Sequence, residues 1–135
     1  MKQRGIGDVI RAFARKERGS ATIEAVLWTP VFLLLFGLLT DTSLIFGRQA
    51  EILRVVQDAN RSLAVGHFQT VAEAQAYIST KVATFSRHST VLVSIDKGII
   101  SSSVSMPATD LTVTGIFQGF SGLTISVVAS QMLEV

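Results

Sequence analysis

The sequence predicts an α+β fold: a long N-terminal helix, a second and shorter helix, then a small antiparallel β-sheet of about four strands. Three observations carry this reading. Between Ala25 and Leu39 the run AVLWTPVFLLLFGLL holds no charged residue. From Ile45 to Leu63 apolar residues recur at three-, four- and seven-residue steps, the period of one helix face. From Thr90 the period falls to two, in TVLVSID and then IISSSVSM, with Lys97-Gly98 between them as a turn.

Residues 1–19 read as a basic cytoplasmic leader. Lys2, Arg4, Arg11, Arg15, Lys16 and Arg18 stand there against Asp8 and Glu17. The formal charge of +2 over 135 residues is therefore concentrated at one end, and the remainder is net acidic. No basic stripe with interleaved aromatics follows, so nucleic acid is not an expected partner.

Residues 20–46 read as a transmembrane helix. A helix from Ala25 to Phe46 rises about 33 Å at ~1.5 Å per residue, enough for a bilayer core of ~30 Å. No small-residue cleavage site follows the run, which favours a retained helix over a secretory signal. Pro30 removes one backbone donor inside the span and predicts a helix kink or loosened turn. Trp28 suits an interfacial aromatic. With the basic leader it predicts the N-terminus inside and the C-terminus outside. Asp41 reads as an acid at the outer interface.

Residues 47–65 continue the helix as an amphipathic segment. Ile45, Ile52, Val56, Ala59 and Leu63 form its apolar stripe, and Arg48, Glu51, Arg54, Asp58 and Arg61 alternate in sign around the rest. Gly66 is the expected stop. Residues 66–135 then form a small extracytoplasmic α+β domain. A second helix is expected from Thr70 to about Phe85, with Thr70 and Glu73 at capping-box spacing and Val71, Ala74, Ile78, Val82 and Phe85 buried. After the hairpin, Leu111–Phe117 and Leu123–Val135 read as two further strands. A sheet with Ser and Thr on one face and Val, Ile and Leu on the other suits half-coverage by helix.

The residues argue against an enzyme. There is no cysteine, so disulfides, thiolate nucleophiles and Cys-held metals are excluded. The two histidines, His67 and His88, stand outside any zinc or triad motif and read as surface residues. GFSG falls short of a nucleophile elbow and reads as a turn. There is no phosphate-binding glycine loop, and Asp96, Asp110 and Glu134 are scattered. No metal, cofactor or small-molecule substrate is expected.

The informative stretch is RGSATIEAVL. Glu24 stands at the mouth of an apolar run, where an unanswered charge is costly. If a peptidase cuts between Gly19 and Ser20, Ser20 gains an α-amine with a pKa near ~8, largely protonated. Glu24 lies one helical turn from that amine, within reach of its own or a neighbouring subunit's terminus. It also stands near the positive end of the helix. An ammonium–carboxylate pair between adjacent helices answers the charge and sets axial register in an assembly.

Glycine, four residues, glutamate and then a hydrophobic helix resembles the class III signal of type IV pilins and pseudopilins. The longer stretch GSATIEAVLWTPVFLLLFGLLTDTSLIFGRQ is similar to the TadE/TadF-type minor pseudopilins of the tight-adherence (Tad, or Flp) pilus system. The matching points are Gly19, Glu24, Pro30, the Leu33–Leu39 run with Gly37, and the polar turn at Asp41–Ser43. The resemblance covers about Arg18 to Gln49. It departs from the major Flp pilin, which has Tyr after the glutamate where this chain has Ala25.

The resemblance implies a pilin-like fold and a structural role in pilus assembly. It implies a single-pass protein of the bacterial inner membrane, processed by a prepilin peptidase and partnered by other pilins and pseudopilins and the Tad machinery. Two alternatives stay open on the residues alone. One is an uncleaved single-pass adaptor or binding module of the envelope. The other is a small secreted domain with an ordinary signal peptide.

Overall fold

The computed structural model describes residues 18–116, 119 and 122–134, with Arg18–Ser20 as backbone only. The expected basic leader lies outside the described residues over 1–17, as does most of the QGFSG turn. The chain divides after Phe36 into two compact units.

Helix α1 runs from Arg18 to Ala64 and passes through both units. In the first unit it is the only described element. Its apolar side chains face outward all round: Ile23, Val26, Leu27, Leu33 and Phe36 are all exposed. A helix that is apolar on every side needs an apolar surrounding. The helical backbone continues unbroken through Pro30. Thr29 turns its hydroxyl back onto the Ala25 carbonyl at 2.7 Å, so this polar group is satisfied within the helix.

In the second unit α1 becomes the amphipathic element its periodicity predicts. Ile52, Val56, Ala59 and Leu63 are buried, and Ile45 packs beside them. The helix ends where Gly66 adopts a φ of 79°. Gly66 N–H donates to Leu63 O at 3.2 Å and His67 N–H to Ser62 O at 2.8 Å, the paired bonds of a Schellman cap. Only glycine reaches this left-handed φ without a Cβ penalty.

Helix α2 spans Val71–Val82. Thr70 caps it by accepting from Glu73 N–H at 3.2 Å. The Glu73 carboxylate reaches back to Gln69 N–H at 2.7 Å, one residue before the cap. Ala74, Ile78 and Val82 face the core as expected, while Phe85 lies beyond the helix and packs at the core's edge.

Strands β1 (Thr90–Asp96), β2 (Ile99–Pro107) and β3 (Thr124–Met132) form one antiparallel sheet in that order. Lys97 and Gly98 both take positive φ, 49° and 79°, the signature of a two-residue type I′ hairpin. The register sets Val91 opposite Val104 and Val104 opposite Val127. With Met106, these side chains join Ile52, Val56, Ala59, Ile78 and Val82 in one core. The odd-numbered serines of β2 lie on its other, half-buried face.

Among the described residues the sheet has three strands, not about four. Pro107, which has no N–H, closes β2, and Ala108–Leu111 form a single 3-10 turn. The expected strand at Leu111–Phe117 does not form within its described part. The alternation in LTVTGI is genuine, but the backbone donors of Val113 and Thr114 are spent on a side chain of α1, and Gly115 turns left-handed at φ 75°. A segment whose donors are so engaged cannot extend a ladder.

Candidate functional site

Gly19 and Ser20, the expected cleavage pair, lie in the first turn of α1. Glu24 follows one turn later on an open surface that it shares with Ala21, Ala25, Trp28 and Phe32. Trp28 and Phe32 stand one turn apart with ring centroids at 6.1 Å, tilted by 41°. Spacing of four stacks Glu24, Trp28 and Phe32 along one side, with Ala21 and Ala25 beside them. The result is a carboxylate at one end of an aromatic strip, flanked by small residues that admit close approach of another helix.

Gly37 does not belong to this face. A Cβ on it would collide with Ile116 Cδ1. The glycine is thus the seat of a side chain from the loop after β2.

One turn further along α1, Asp41 is fully buried. Its Oδ1 accepts Val113 N–H at 3.1 Å and Thr114 N–H at 3.0 Å, and its Oδ2 accepts the Thr114 hydroxyl. Two successive backbone amides make a small anion-binding nest. The Thr114 oxygen in turn accepts Ile116 N–H at 3.4 Å. A lone acid at the end of an apolar helix is visible in the sequence, but its partners stand 72 and 73 residues away. No local pattern joins them.

A second polar tie lies in the core. Asn60, buried on α1, accepts the hydroxyl of buried Ser102 and donates to the Ala129 carbonyl at 3.2 Å. One amide thereby fixes the helix against both β2 and β3. Near the other end of the sheet, Asp110 accepts the Ser86 hydroxyl at 2.5 Å and lies 3.0 Å from His88 Nδ1. Serine, histidine and aspartate come together here, but in an order unlike a hydrolytic triad. The serine gives its proton to the carboxylate, not to the imidazole, so nothing activates the oxygen. The Ser86 hydroxyl first, and His88 second, hold the Asp110 carboxyl below the ordinary aspartate range. Burial followed by the neighbouring Asp58, which accepts the Tyr77 hydroxyl at 3.1 Å, pushes the Tyr77 phenol up. Among the described residues no group of acids and histidines is arranged to hold a metal ion.

These features define a class: an α+β protein with, among the described residues, one helix long and apolar enough to cross a membrane, whose most apolar stretch is not buried within the structure. Residues 19–61, from the expected cleavage glycine to the last turn of α1, match the model of the TadE-like protein family, which is associated with the Tad pilus. Neither the curated proteins nor the solved structures offer a match to this chain.

Proposed function

We propose that this chain is a TadE-like minor pseudopilin, a structural component needed to assemble a Tad/Flp type IV pilus. The observation that carries the reading is the coincidence of the TadE-like match with an all-round apolar helix that has Glu24 at its mouth. In this reading residues 1–19 are a cytoplasmic leader removed between Gly19 and Ser20 by a prepilin peptidase. Residues 20–46 span the inner membrane with the N-terminus inside. Residues 47–65 extend the helix above the bilayer, and 66–135 form the extracytoplasmic domain. Glu24 pairs with the α-amine of Ser20 on its own or an adjacent pilin helix, and the Ala21, Ala25 and Trp28 side is the packing face. The partners are other pilins and pseudopilins and the Tad machinery.

The test is N-terminal sequencing of the protein recovered from its native membrane, together with electron microscopy of a deletion strain. The expected outcome is Ser20 at the terminus and loss of surface pili while the major pilin is still made. Met1 at the terminus with normal piliation would replace this reading with an uncleaved envelope adaptor.

A further inference from the structure

The loop from Thr112 to Ile116 is held beside α1 at the level of Gly37 and Asp41, and that level is fixed by the length of the membrane span. A span needs about twenty residues. Counted from Ser20 it ends near Thr40, and counted from Ala25 it ends near Phe46. On the count from Ser20, the first residue of the proposed mature chain, Gly37–Asp41 lies at the domain-side end of the bilayer; on the count from Ala25 it lies about 7–14 Å inside that end at ~1.5 Å per residue. On the count from Ser20 the loop beside it lies there too.

The loop's chemistry suits that place. From Leu111 to Leu133 the sequence has no charged residue. Val113 presents its side chain outward at 79% exposure, and Ile116 rests on Gly37. Irregular backbone within the hydrocarbon is tolerated only where it is buried in protein or lines a water-filled cavity, so an exposed loop belongs in the interfacial region, and a carboxylate near that depth must be answered. The Asp41 nest answers the carboxylate and engages the amides of Val113 and Thr114.

We propose that the Thr112–Ile116 loop is a lipid-contacting element, seated in the interfacial region of the leaflet that faces the C-terminal domain. Its ligand is the phospholipid surface itself, and Val113 is the residue that enters it. This rests on the membrane-spanning reading of α1. The loop meets lipid while the protein is in the membrane. It must leave lipid if the helix is ever extracted.

The chain has no cysteine, so single-cysteine variants of the full-length protein take one label each. Val113→Cys, Leu92→Cys on exposed β1 and Leu34→Cys in the span are labelled with an environment-sensitive fluorophore. They are reconstituted at low protein-to-lipid ratio in phosphatidylethanolamine–phosphatidylglycerol vesicles. The expected result is loss of Val113 fluorescence when nitroxide is carried shallow on the acyl chains, with no loss to aqueous iodide. Leu92 should respond to iodide, and Leu34 to nitroxide carried deep. If Val113 follows Leu92 while Leu34 remains lipid-quenched, the loop proposal fails and the span stands. If Val113 is shielded from both quenchers, a protein surface covers it and the proposal fails in favour of a second copy. If Leu34 is itself quenched by iodide, the span reading fails and the loop proposal falls with it.

Discussion

Asp41 and Thr114, 73 residues apart, are joined by two hydrogen bonds, one from the Thr114 amide and one from its hydroxyl. The pair closes the chain's long connection between β2 and β3 onto the helix that precedes the whole domain. A charge in this position is informative, because a buried carboxylate is retained only where donors answer it.

Asp41→Ala should strand two backbone amides and a hydroxyl, and its thermal midpoint in detergent should fall well below that of the parent protein. Asp41→Asn keeps one acceptor oxygen and should lie between them. Thr114→Val removes only the hydroxyl and should be the mildest of the three. Equal midpoints for Asp41→Ala and the parent would show that the nest contributes nothing to holding the loop.

Gly37 tests the same region by volume. Gly37→Val places a branched side chain where Ile116 Cδ1 now rests, and overpacking of this kind costs about 1–3 kcal/mol. The obstructing atom is the end of a flexible side chain. Gly37→Ala should therefore be nearly neutral, as rotation of Ile116 offsets the gain of ~1 kcal/mol in helix propensity. Ile116→Ala should rescue Gly37→Val but not the parent. The four denaturation midpoints form a double-mutant cycle, and additive effects would mean that the two side chains do not compete for space.

Much of the architecture was readable from local patterns because those patterns act locally. The stripe Ile52, Val56, Ala59 and Leu63 is buried as its spacing predicts, and Thr70 and Glu73 cap α2. Lys97-Gly98 makes the hairpin its flanking alternation calls for. The same logic misread Leu111–Phe117, since alternation reports what a segment suits and not where its amide donors go. Asp41 took them from across the chain. Asn60 was equally hidden: it sits beside the stripe, and its partners Ser102 and Ala129 are known only once the sheet has its register. Gly19, Ser20 and Glu24 were legible as a motif, and the roles proposed for them depend on a peptidase and neighbouring helices.

The Asn60–Ser102 tie should be sensitive to one-sided loss. Ser102→Ala leaves the Asn60 carbonyl buried without its donor, at about 1–3 kcal/mol. Asn60→Ala strands both Ser102 and the Ala129 carbonyl and opens a cavity, so it should destabilise more than Ser102→Ala. Urea denaturation measures both. A neutral Asn60→Ala would indicate that the helix is held to the sheet by apolar packing alone.

Acid stability should depend on Asp110. Its carboxyl is held low in the folded protein by Ser86 first and His88 second. A depressed folded pKa contributes stability that is present above the unfolded value, near ~4, and is lost as pH falls through the folded value. Ser86→Ala should weaken that depression and move the acid-induced loss of thermal stability to higher pH, with a smaller effect near neutrality. Asp110→Asn should flatten this part of the pH profile. An unchanged profile in both variants would assign the acid response to other carboxylates.

Gly19 and Glu24 have separable roles in the proposed function. Gly19 stands before the proposed cut, where a peptidase groove needs close backbone approach. Gly19→Leu should therefore leave the leader attached, seen as the longer product by mass spectrometry of the membrane fraction. In the proposed function Glu24 acts after the cut, when Ser20 has a free amine. Glu24→Ala should be cleaved normally and yet fail to support piliation. It is exposed in the isolated chain, so its loss should not lower the thermal midpoint of the purified protein. Glu24→Asp retains the charge on a shorter arm and should recover part of the piliation. Cleavage blocked in Glu24→Ala but intact in Gly19→Leu would reverse the two assignments. It would make Glu24 a recognition element for the peptidase and leave the charge at the mouth of the helix to be answered by the enzyme and not by a neighbouring subunit.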